Sequence, residues 1–158
     1  MAAQEIEYDR TLLGVEFPTD PVTVDSGAIQ RYCNAAGITA SIHTDREAAR
    51  AAGYRDLVAP ITMYSSMARP KRPDIKLKFG RTQLLSSIAV EAVAPVCAGD
   101  RVKGAMHLKE VYAKTGRSGT MVFVVWETTL TNQRGEKVAA IRDSYVRAEN
   151  LHHRSYLI

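Results

Sequence analysis

The order of apolar and polar residues changes its period along the chain, from helical spacing in the first half to strand spacing in the second. Apolar residues within Ala28–Ala36 follow the three-four spacing of one helix face. Asp25 or Ser26 is suited to cap this helix at its start, and Gly37 is suited to end it. The pattern therefore predicts a first helix that stops at Gly37.

Two further helices are predicted before the strand-rich half begins. Thr44 and Glu47 form a capping-box pattern, which opens a helix that runs to Gly53. The third helix follows Pro60, because proline fits the first turn of a helix, and it ends at Pro70. This segment is apolar on nearly every side, as is typical of a buried helix. Its apolar residues are Ile61, Met63, Tyr64, Met67 and Ala68.

The second half carries the two-residue period of β-structure, and turn residues interrupt it. Around Trp126 both strand faces are apolar, which predicts that this strand lies centrally in a sheet. The candidate strands are Pro21–Val24, Leu84–Val93, Arg101–Tyr112, Thr120–Thr131 and Lys137–Ala148. An antiparallel sheet with a very apolar helix to pack against it is an α+β fold.

Composition narrows the class of protein. The 158 residues are 46% apolar and 24% charged, with a net charge of +4, values typical of one soluble domain. Without an apolar run of signal-peptide or membrane-helix length, a cytoplasmic protein is expected. Cys33 and Cys97 lack metal-ligand spacing, so reduced core cysteines and no metal are expected. The basic segment 69–78 favours a solvated loop over a nucleic-acid site, because no aromatic residues are interleaved with it.

Two stretches of the sequence form a recognisable set of motifs. The first is Gly37–Tyr54, followed by Val58-Ala59-Pro60-Ile61-Thr62. The second is Pro95-Val96-Cys97-Ala98-Gly99-Asp100, with Tyr145-Val146-Arg147 near the end. These stretches resemble the hydratase loop, the P-x-x-x-G-D turn and the closing hairpin of the MaoC-like (R)-specific hydratase/dehydratase family. The resemblance spans about residues 14–147 and is closest to the dehydratase N-terminal, fungal fatty-acid-synthase-type variety.

The resemblance implies a hotdog fold, in which an antiparallel sheet wraps around a central helix. Residues 1–158 then form a single hotdog domain, with a core of about 14–147 and short polar tails. Because such domains usually pair edge to edge, a homodimer or a heterodimer with another hotdog subunit is expected. The implied activity is that of a hydro-lyase on an acyl thioester or a polyketide-like β-hydroxycarbonyl substrate, without a cofactor, in fatty acid or polyketide metabolism.

The catalytic loop of the resembled family has an Asp, then an Asn, then a His five residues after the Asp. These positions correspond here to Ile38, Ala40 and His43. Adding water to an enoyl thioester needs a base for the water proton and an acid for the α-carbon. His43 suits one of these roles, or else is a polar residue at a helix entrance. Ile38 has no exchangeable proton, and Asp45 is the first candidate to replace the carboxylate, although an acid also suits a first helical turn.

The resemblance also implies a set of substrate-binding groups around the third predicted helix. The N–H groups of Ile61 and Thr62 are free in its first turn and are expected to polarise the thioester carbonyl. Tyr64 is a candidate to orient that carbonyl, or else a core residue. Arg81 and Gln83 stand where the dehydratase variety carries further polar pocket groups, or else at a solvated strand start.

Two functions therefore fit the sequence. The first is the hydro-lyase, which the retention of His43 favours. The second is a non-catalytic subunit that binds an acyl chain and pairs with a catalytically complete hotdog hydratase, which the presence of Ile38 favours. Met67 belongs to a surplus apolar face of the third predicted helix, and that face is expected to contact an acyl chain or a dimer partner.

Overall fold

The computed structural model describes residues 5–117 and 119–149, and one antiparallel sheet forms its centre. The strands are β1 Phe17–Pro18, β2 Val22–Thr23, β3 Gln83–Ala92, β4 Arg101–Gly116, β5 Gly119–Thr131 and β6 Lys137–Ala148. They follow the order β1-β4-β5-β6-β3, and β2 also pairs with β4. The five predicted strands are confirmed, β5 lies centrally as expected, and the α+β class is confirmed.

The first predicted helix is confirmed as α1, Ser26–Ala36. The carboxylate of Asp25 accepts a hydrogen bond from the Ala28 N–H at 2.9 Å, so Asp25 is the N-cap. Gly37 ends the helix. Among the described residues, no helix combines the length and apolar character that crossing a membrane requires.

The start of the second predicted helix is wrong by two residues. The chain forms a single turn, α2 Ser41–Thr44, and then α3 Arg46–Ala51. The Thr44 hydroxyl donates back to the Ala40 carbonyl at 3.3 Å, so it does not cap the following helix. Asp45 is the cap instead, because its carboxylate accepts the N–H groups of residues 47 and 48.

The segment after Pro60 is a 3₁₀ helix of six residues, Ile61–Ser66, and the predicted longer helix up to Pro70 is wrong. The hydroxyls of Ser65 and Ser66 donate to the carbonyls three residues before them, and such bonds compete with helix continuation. Ala68 then adopts a φ of 42°, which turns the chain out of the helix. Tyr64 is buried whereas Ile61 is 53% exposed, so this central 3₁₀ helix is not buried on all sides.

Two clusters of buried apolar side chains pack against the sheet. The first joins α1 and the central 3₁₀ helix to the strands through Ile29, Cys33, Tyr64, Met67, Val102, Leu130 and Ile141, among others. The second lies under a stretch of irregular chain and contains Ile75, Leu77, Met106, Leu108, Val122, Val124 and Trp126. Irregular chain therefore covers the part of the sheet that a longer helix was expected to cover.

N-terminal residues pack against the second cluster, in the part of the chain where the sequence predicted a short polar tail before residue 14. In this N-terminal segment, Ile6 and Tyr8 alternate with charged residues, and both pack against the cluster together with Leu12. The Asp9 N–H donates to the Ile75 carbonyl at 2.8 Å, and the Lys78 N–H donates to the Glu7 carbonyl at 3.0 Å. At the other end, the predicted tail from residue 150 onward lies outside the described residues.

The basic segment 69–78 is fixed to the sheet at its first half, which corrects the expectation of a solvated loop. Arg69 forms an ion pair with Asp143, whose carboxylate is buried in β6. The guanidinium of Arg72 lies over the Tyr145 ring at 4.0 Å from its centroid. These contacts hold the irregular chain against β6.

Gly104 in β4 lies close to the backbone of Ala68, just before this segment. A Cβ atom built at Gly104 would lie 2.1 Å from the Ala68 carbonyl oxygen and 3.2 Å from a methyl carbon of Thr128. Since the first contact is with backbone, the chain must move to accommodate any side chain at this position.

We expect Gly104→Ala to lower the free energy of unfolding by about 3 kcal/mol, because overpacking in a dense interior shifts the backbone. Chemical denaturation measures the change. Gly116→Ala is the matched control, since Gly116 lies in the same strand and has nothing within 4 Å of an added Cβ. Equal stability of the two variants would contradict the close contact.

Candidate active site

A cavity of about 440 Å³ opens between α2, the central 3₁₀ helix and the end of β3. Its walls are mostly apolar and come from both stretches of the motif set. The lining side chains with hydrogen-bonding atoms are those of His43, Tyr54, Thr62 and Tyr64. An apolar cavity with a few convergent polar groups is the usual form of a small-molecule site.

His43 is held in one orientation by the backbone. Its Nδ1 lies 2.7 Å from the Val58 carbonyl oxygen. Because a carbonyl oxygen only accepts, Nδ1 carries the hydrogen and donates it. In the neutral imidazole the lone pair is then on Nε2, so Nε2 is the atom that can accept a proton. His43 is half-buried and lines the cavity.

The backbone around His43 is tied across the cavity wall by further hydrogen bonds. The Val58 N–H donates to the Ile42 carbonyl at 2.9 Å, so Val58 holds both the imidazole and the turn that carries it. The Ala59 N–H donates to the Val96 carbonyl at 2.8 Å, which links this wall to the chain after β3. Three segments that are distant in sequence therefore meet at the imidazole.

Tyr64 contributes its ring to the cavity wall, whereas backbone groups already engage its hydroxyl. That hydroxyl accepts the Val96 N–H at 3.0 Å and donates to the Ala94 carbonyl at 3.4 Å. Burial raises the pKa of Tyr64 above its ordinary value. The hydroxyl therefore fixes the shape of the cavity, and the half-buried Tyr54 is the other phenol that lines it.

Asp100 clamps the loop before the central 3₁₀ helix to the turn after β3. Its fully buried carboxylate accepts the Cys97 N–H at 2.8 Å, the Gln133 amide at 2.9 Å and the Arg55 guanidinium at 2.7 Å. Burial alone would raise the pKa of Asp100, but the Cys97 N–H, Gln133 and Arg55 together hold it below its ordinary value. This buried anion supports both walls of the cavity.

Asp45, the candidate for the carboxylate role, lies outside the cavity lining, and so do Ile38 at the family's Asp position and the nearby Asp56. Asp45 is exposed and caps α3. Ile38 packs against the first core cluster. Asp56 accepts the Leu57 N–H and pairs with Arg46 at 2.9 Å, and these contacts lower the pKa of its carboxyl. Among the described residues that line the cavity there is no carboxylate.

Ile61 and Thr62 line the cavity, as the resemblance implied. The Met63 N–H donates to the Pro60 carbonyl at 2.9 Å and closes the first turn of the 3₁₀ helix. The N–H groups of Ile61 and Thr62 come before this first hydrogen bond of the helix, so the helix itself does not use them as donors. With only six residues the helix contributes little dipole, so these two N–H groups would act by direct hydrogen bonding.

Met67 lies on the other side of the central 3₁₀ helix from His43. It is 7% exposed and borders a second cavity of about 450 Å³. Met63, Val24 and Val102 also line this second cavity, with Arg69 at one end. The side chains of this segment therefore border two separate cavities, and its expected contact with an acyl chain or a dimer partner stays a prediction.

Arg81 and Gln83 do not share the cavity with His43. Gln83 is the first residue of β3 and Arg81 lies two residues before it, and the Gln83 side chain accepts a hydrogen bond from Arg147 at 3.1 Å. The cavity is lined by residues at the other end of β3, from Ala92 onward. At about 3.3 Å per residue the two ends of this strand are roughly 30 Å apart.

Sequence reasoning missed two features of this site. The Val58 carbonyl that orients His43 has no side-chain signal, because any residue supplies a carbonyl. Asp100 was visible in the P-x-x-x-G-D motif, but its partners Arg55 and Gln133 are 45 and 33 residues away in sequence. Only the fold brings these groups together.

Comparison with known proteins agrees with the architecture. The sequence profile described as "FAS1-like, dehydratase domain region" matches residues 11–141. A protein of Saccharopolyspora erythraea called UPF0336 protein is 27% identical over 145 residues, which cover 87% of this chain and 90% of that protein.

Two solved structures have the same fold. A MaoC-like dehydratase has a TM-score of 0.75 at 25% identity, over 86% of this chain and 42% of that chain, so this chain spans less than half its length. A C-terminally truncated HadBC (3R-hydroxyacyl-ACP dehydratase) complex of Mycobacterium tuberculosis has a TM-score of 0.70 at 22% identity, over 87% of this chain and 98% of that chain. The expected MaoC-like hotdog fold is confirmed.

We expect Asp100→Asn to lower the free energy of unfolding at pH 7 by about 2 kcal/mol, because the variant weakens a fully satisfied buried carboxylate. The pKa of this group is lowered in the folded protein, so its stabilisation is present above the unfolded pKa of about 4 and is lost as the pH falls through the folded value. Melting temperatures from pH 7 to pH 2 should therefore converge for wild type and variant. The control is Asp20→Asn at an exposed position, and a constant difference across this range would contradict the assignment.

Proposed function

The chain belongs to the FAS1-like family of dehydratase domain regions, and from this premise we propose that it is a hydro-lyase acting on an acyl thioester or a polyketide-like β-hydroxycarbonyl compound. The observation that carries the proposal is the His43 imidazole, which lines an apolar cavity with Nδ1 held by Val58. An oriented imidazole with a free Nε2 is a suitable proton carrier near neutral pH.

A single imidazole balances the protons of the reaction. In the hydration direction, Nε2 of His43 accepts a proton from water while the water oxygen bonds to the β-carbon of the enoyl group. The electron pair of the double bond moves to the α-carbon, and the imidazolium returns its proton there. Water and proton then add on the same side, and the imidazole is regenerated without a carboxylate.

The other groups position the substrate and the imidazole. The N–H groups of Ile61 and Thr62 stabilise the negative charge that develops on the thioester oxygen. Asp45 lies two residues after His43 and acts as a positioning residue, because its side chain caps the start of α3 at Arg46. Tyr64 shapes the cavity through its ring, since its hydroxyl is bonded to backbone.

A second candidate function is supported by the lining of the cavity. The carboxylate position of the family holds Ile38, which packs against the core, and no described lining residue carries a carboxylate. On this account the chain binds the acyl part of a substrate while another hotdog chain supplies the catalytic pair. The similarity to the HadBC complex supports a hotdog partner in general.

We expect His43→Ala to reduce turnover by ~10²–10⁴-fold, the usual contribution of a general acid or base. Turnover is measured as the rate at which the purified protein hydrates crotonyl-coenzyme A, monitored by the loss of enoyl absorbance. The control His107→Ala removes a half-buried imidazole in β4, outside the cavity, and should leave turnover unchanged.

Two results would redirect the proposal. Wild-type turnover by a folded His43→Ala protein would remove His43 from proton transfer. Hydration by wild type only after addition of a second hotdog protein would replace the hydro-lyase with the acyl-binding subunit.

The two cavities beside the central 3₁₀ helix suit an extended apolar substrate. The first cavity is lined by His43 and the second by Met63 and Met67, and residues of the central 3₁₀ helix line both. Methionine side chains adapt to irregular apolar surfaces. We assign the acyl chain to these cavities, with its thioester at His43.

We expect Met67→Trp to weaken binding of decanoyl-coenzyme A by about tenfold, close to 1.4 kcal/mol, and to leave crotonyl-coenzyme A binding unchanged. Isothermal titration and sedimentation measure affinity and mass. Overpacking should also lower stability by ~1–3 kcal/mol. Met121→Trp, at a half-buried methionine that lines neither cavity, controls for bulk. Dissociation into monomers would assign this face to a partner, and unchanged affinity for both thioesters would refute the acyl site.

A further inference from the structure

The His43 cavity contains one polar side chain that has no role in the mechanism derived above. The lining side chains with hydrogen-bonding atoms are those of His43, Tyr54, Thr62 and Tyr64. The Tyr64 hydroxyl is already bonded to backbone groups on both sides. Thr62 is an exposed residue near the start of the central 3₁₀ helix. Tyr54 therefore supplies the half-buried hydroxyl of this cavity that is free to bind a ligand.

The surroundings of the Tyr54 hydroxyl suit such a contact. No hydrogen bond joins this hydroxyl to another group within residues 5–117 and 119–149. Burial is the main reason that the pKa of Tyr64 is raised, and the Tyr54 phenol raises it further, so the two phenols are neighbours. A phenol both donates and accepts hydrogen bonds, and such bonds are stronger away from bulk water.

The backbone of Tyr54 is fixed by the way in which α3 ends. The Tyr54 N–H donates to the Ala49 carbonyl at 3.0 Å, and the Gly53 N–H donates to the Arg50 carbonyl at 2.9 Å. These two bonds form a Schellman motif, with Gly53 in the left-handed conformation at a φ of 94°. A Cβ atom at Gly53 would have nothing within 4 Å, so the backbone conformation is what favours glycine there.

The same short helix links Tyr54 to His43. Asp45 caps the start of α3, and His43 lies two residues before this cap. The helix has only six residues, which span about 9 Å at 1.5 Å per residue. Because hydrogen bonds fix both of its ends, α3 sets the separation of the two backbone positions. One capped element thus presents an imidazole and a phenol to the same cavity.

The reaction contains an oxygen atom that needs a second contact. In the hydration direction the attacking water gives one proton to Nε2 of His43 and keeps the other. An acceptor for the remaining O–H orients the lone pair of the water toward the β-carbon. In the dehydration direction a donor stabilises the negative charge that develops on the leaving hydroxyl. A phenol serves in both directions, and no bond to it forms or breaks, so the proton balance of the His43 mechanism is unchanged.

We propose that the Tyr54 hydroxyl binds the oxygen that is added to, or leaves from, the β-carbon of the substrate. The inference rests on the proposed function for its substrate. It supplies the second polar contact in a cavity whose described lining has no carboxylate, and it does so without placing a second charge among apolar walls. It also makes the site selective for thioesters that carry a β-hydroxyl group.

The contact is tested by binding, with two probes that differ by one hydroxyl. These are butyryl-coenzyme A and the more tightly bound enantiomer of 3-hydroxybutyryl-coenzyme A. Tyr54→Phe should lower the affinity for the hydroxylated probe by about tenfold, the value of one hydrogen bond, and leave the affinity for butyryl-coenzyme A unchanged. Isothermal titration measures both. Equal affinities of wild type and Tyr54→Phe for the hydroxylated probe overturn the proposal.

Two further variants show whether the effect belongs to Tyr54. Tyr32→Phe is the matched control, because Tyr32 is a half-buried tyrosine of α1 that lines neither cavity, and it should bind both probes as wild type does. Thr62→Val removes the other hydroxyl of the lining that is free to bind. Loss of the hydroxyl-dependent affinity in Thr62→Val and not in Tyr54→Phe assigns the contact to Thr62 and overturns the proposal. Melting temperatures confirm that each variant is folded.

Turnover gives a second readout, which a purely structural role would not reproduce. Crotonyl-coenzyme A carries no oxygen on its β-carbon, so its binding does not use Tyr54, whereas the transition state does. Tyr54→Phe should therefore lower kcat for hydration by about tenfold and leave KM unchanged. A raised KM with an unchanged kcat would mean that Tyr54 only shapes the cavity, and it overturns the proposal.

The outcomes separate this inference from the proposed function. Affinity that depends on Tyr54 in a wild type without turnover retains the contact and refutes the hydro-lyase, as expected of an acyl-binding subunit. Turnover that is unchanged in Tyr54→Phe refutes the contact and retains the hydro-lyase. If wild type binds neither probe, the thioester function and the Tyr54 contact fail together.

Discussion

The buried carboxylate of Asp100 is the interaction on which the candidate site depends. Neither the loop around Arg55 nor the turn around Cys97 is part of a helix or a long strand, so neither is held in place by regular backbone hydrogen bonding. A buried full anion obliges both segments to present donors to it, because an unpaired buried charge is far more costly than the ordering of two loops. The positions of the cavity walls therefore depend on the hydrogen bonds that these two segments make to Asp100.

The regular part of the fold was predictable because its signals are local. The cap at Asp25 and the alternation around Trp126 depend on residues that are neighbours in sequence. The 3₁₀ helix after Pro60 was not predictable in this way. Its apolar composition suits a longer buried helix, but the hydroxyls of Ser65 and Ser66 donate to carbonyls three residues earlier and end it. The apolar composition of this segment therefore indicates burial, whereas the two serine hydroxyls determine where the helix ends.

The site was predictable only in part, for a related reason. His43 stands in a local motif and lies in the cavity, whereas Arg81 and Gln83 lie at the far end of β3. A motif alignment orders residues along a sequence and carries no information on whether they meet within one chain or across two.

The N-terminal segment that closes the second core cluster has a consequence for how the chain folds. Ile6 and Tyr8 leave the ribosome before Trp126 in β5 is synthesised, yet they pack against a cluster that includes it. At about 5–20 residues per second, that strand is complete roughly 6–25 s later. Such long-range contacts form late because the closing loop is large. The segment around Ile6 and Tyr8 therefore waits for its partners in β5, and it stays accessible to chaperones and proteases until that strand is made.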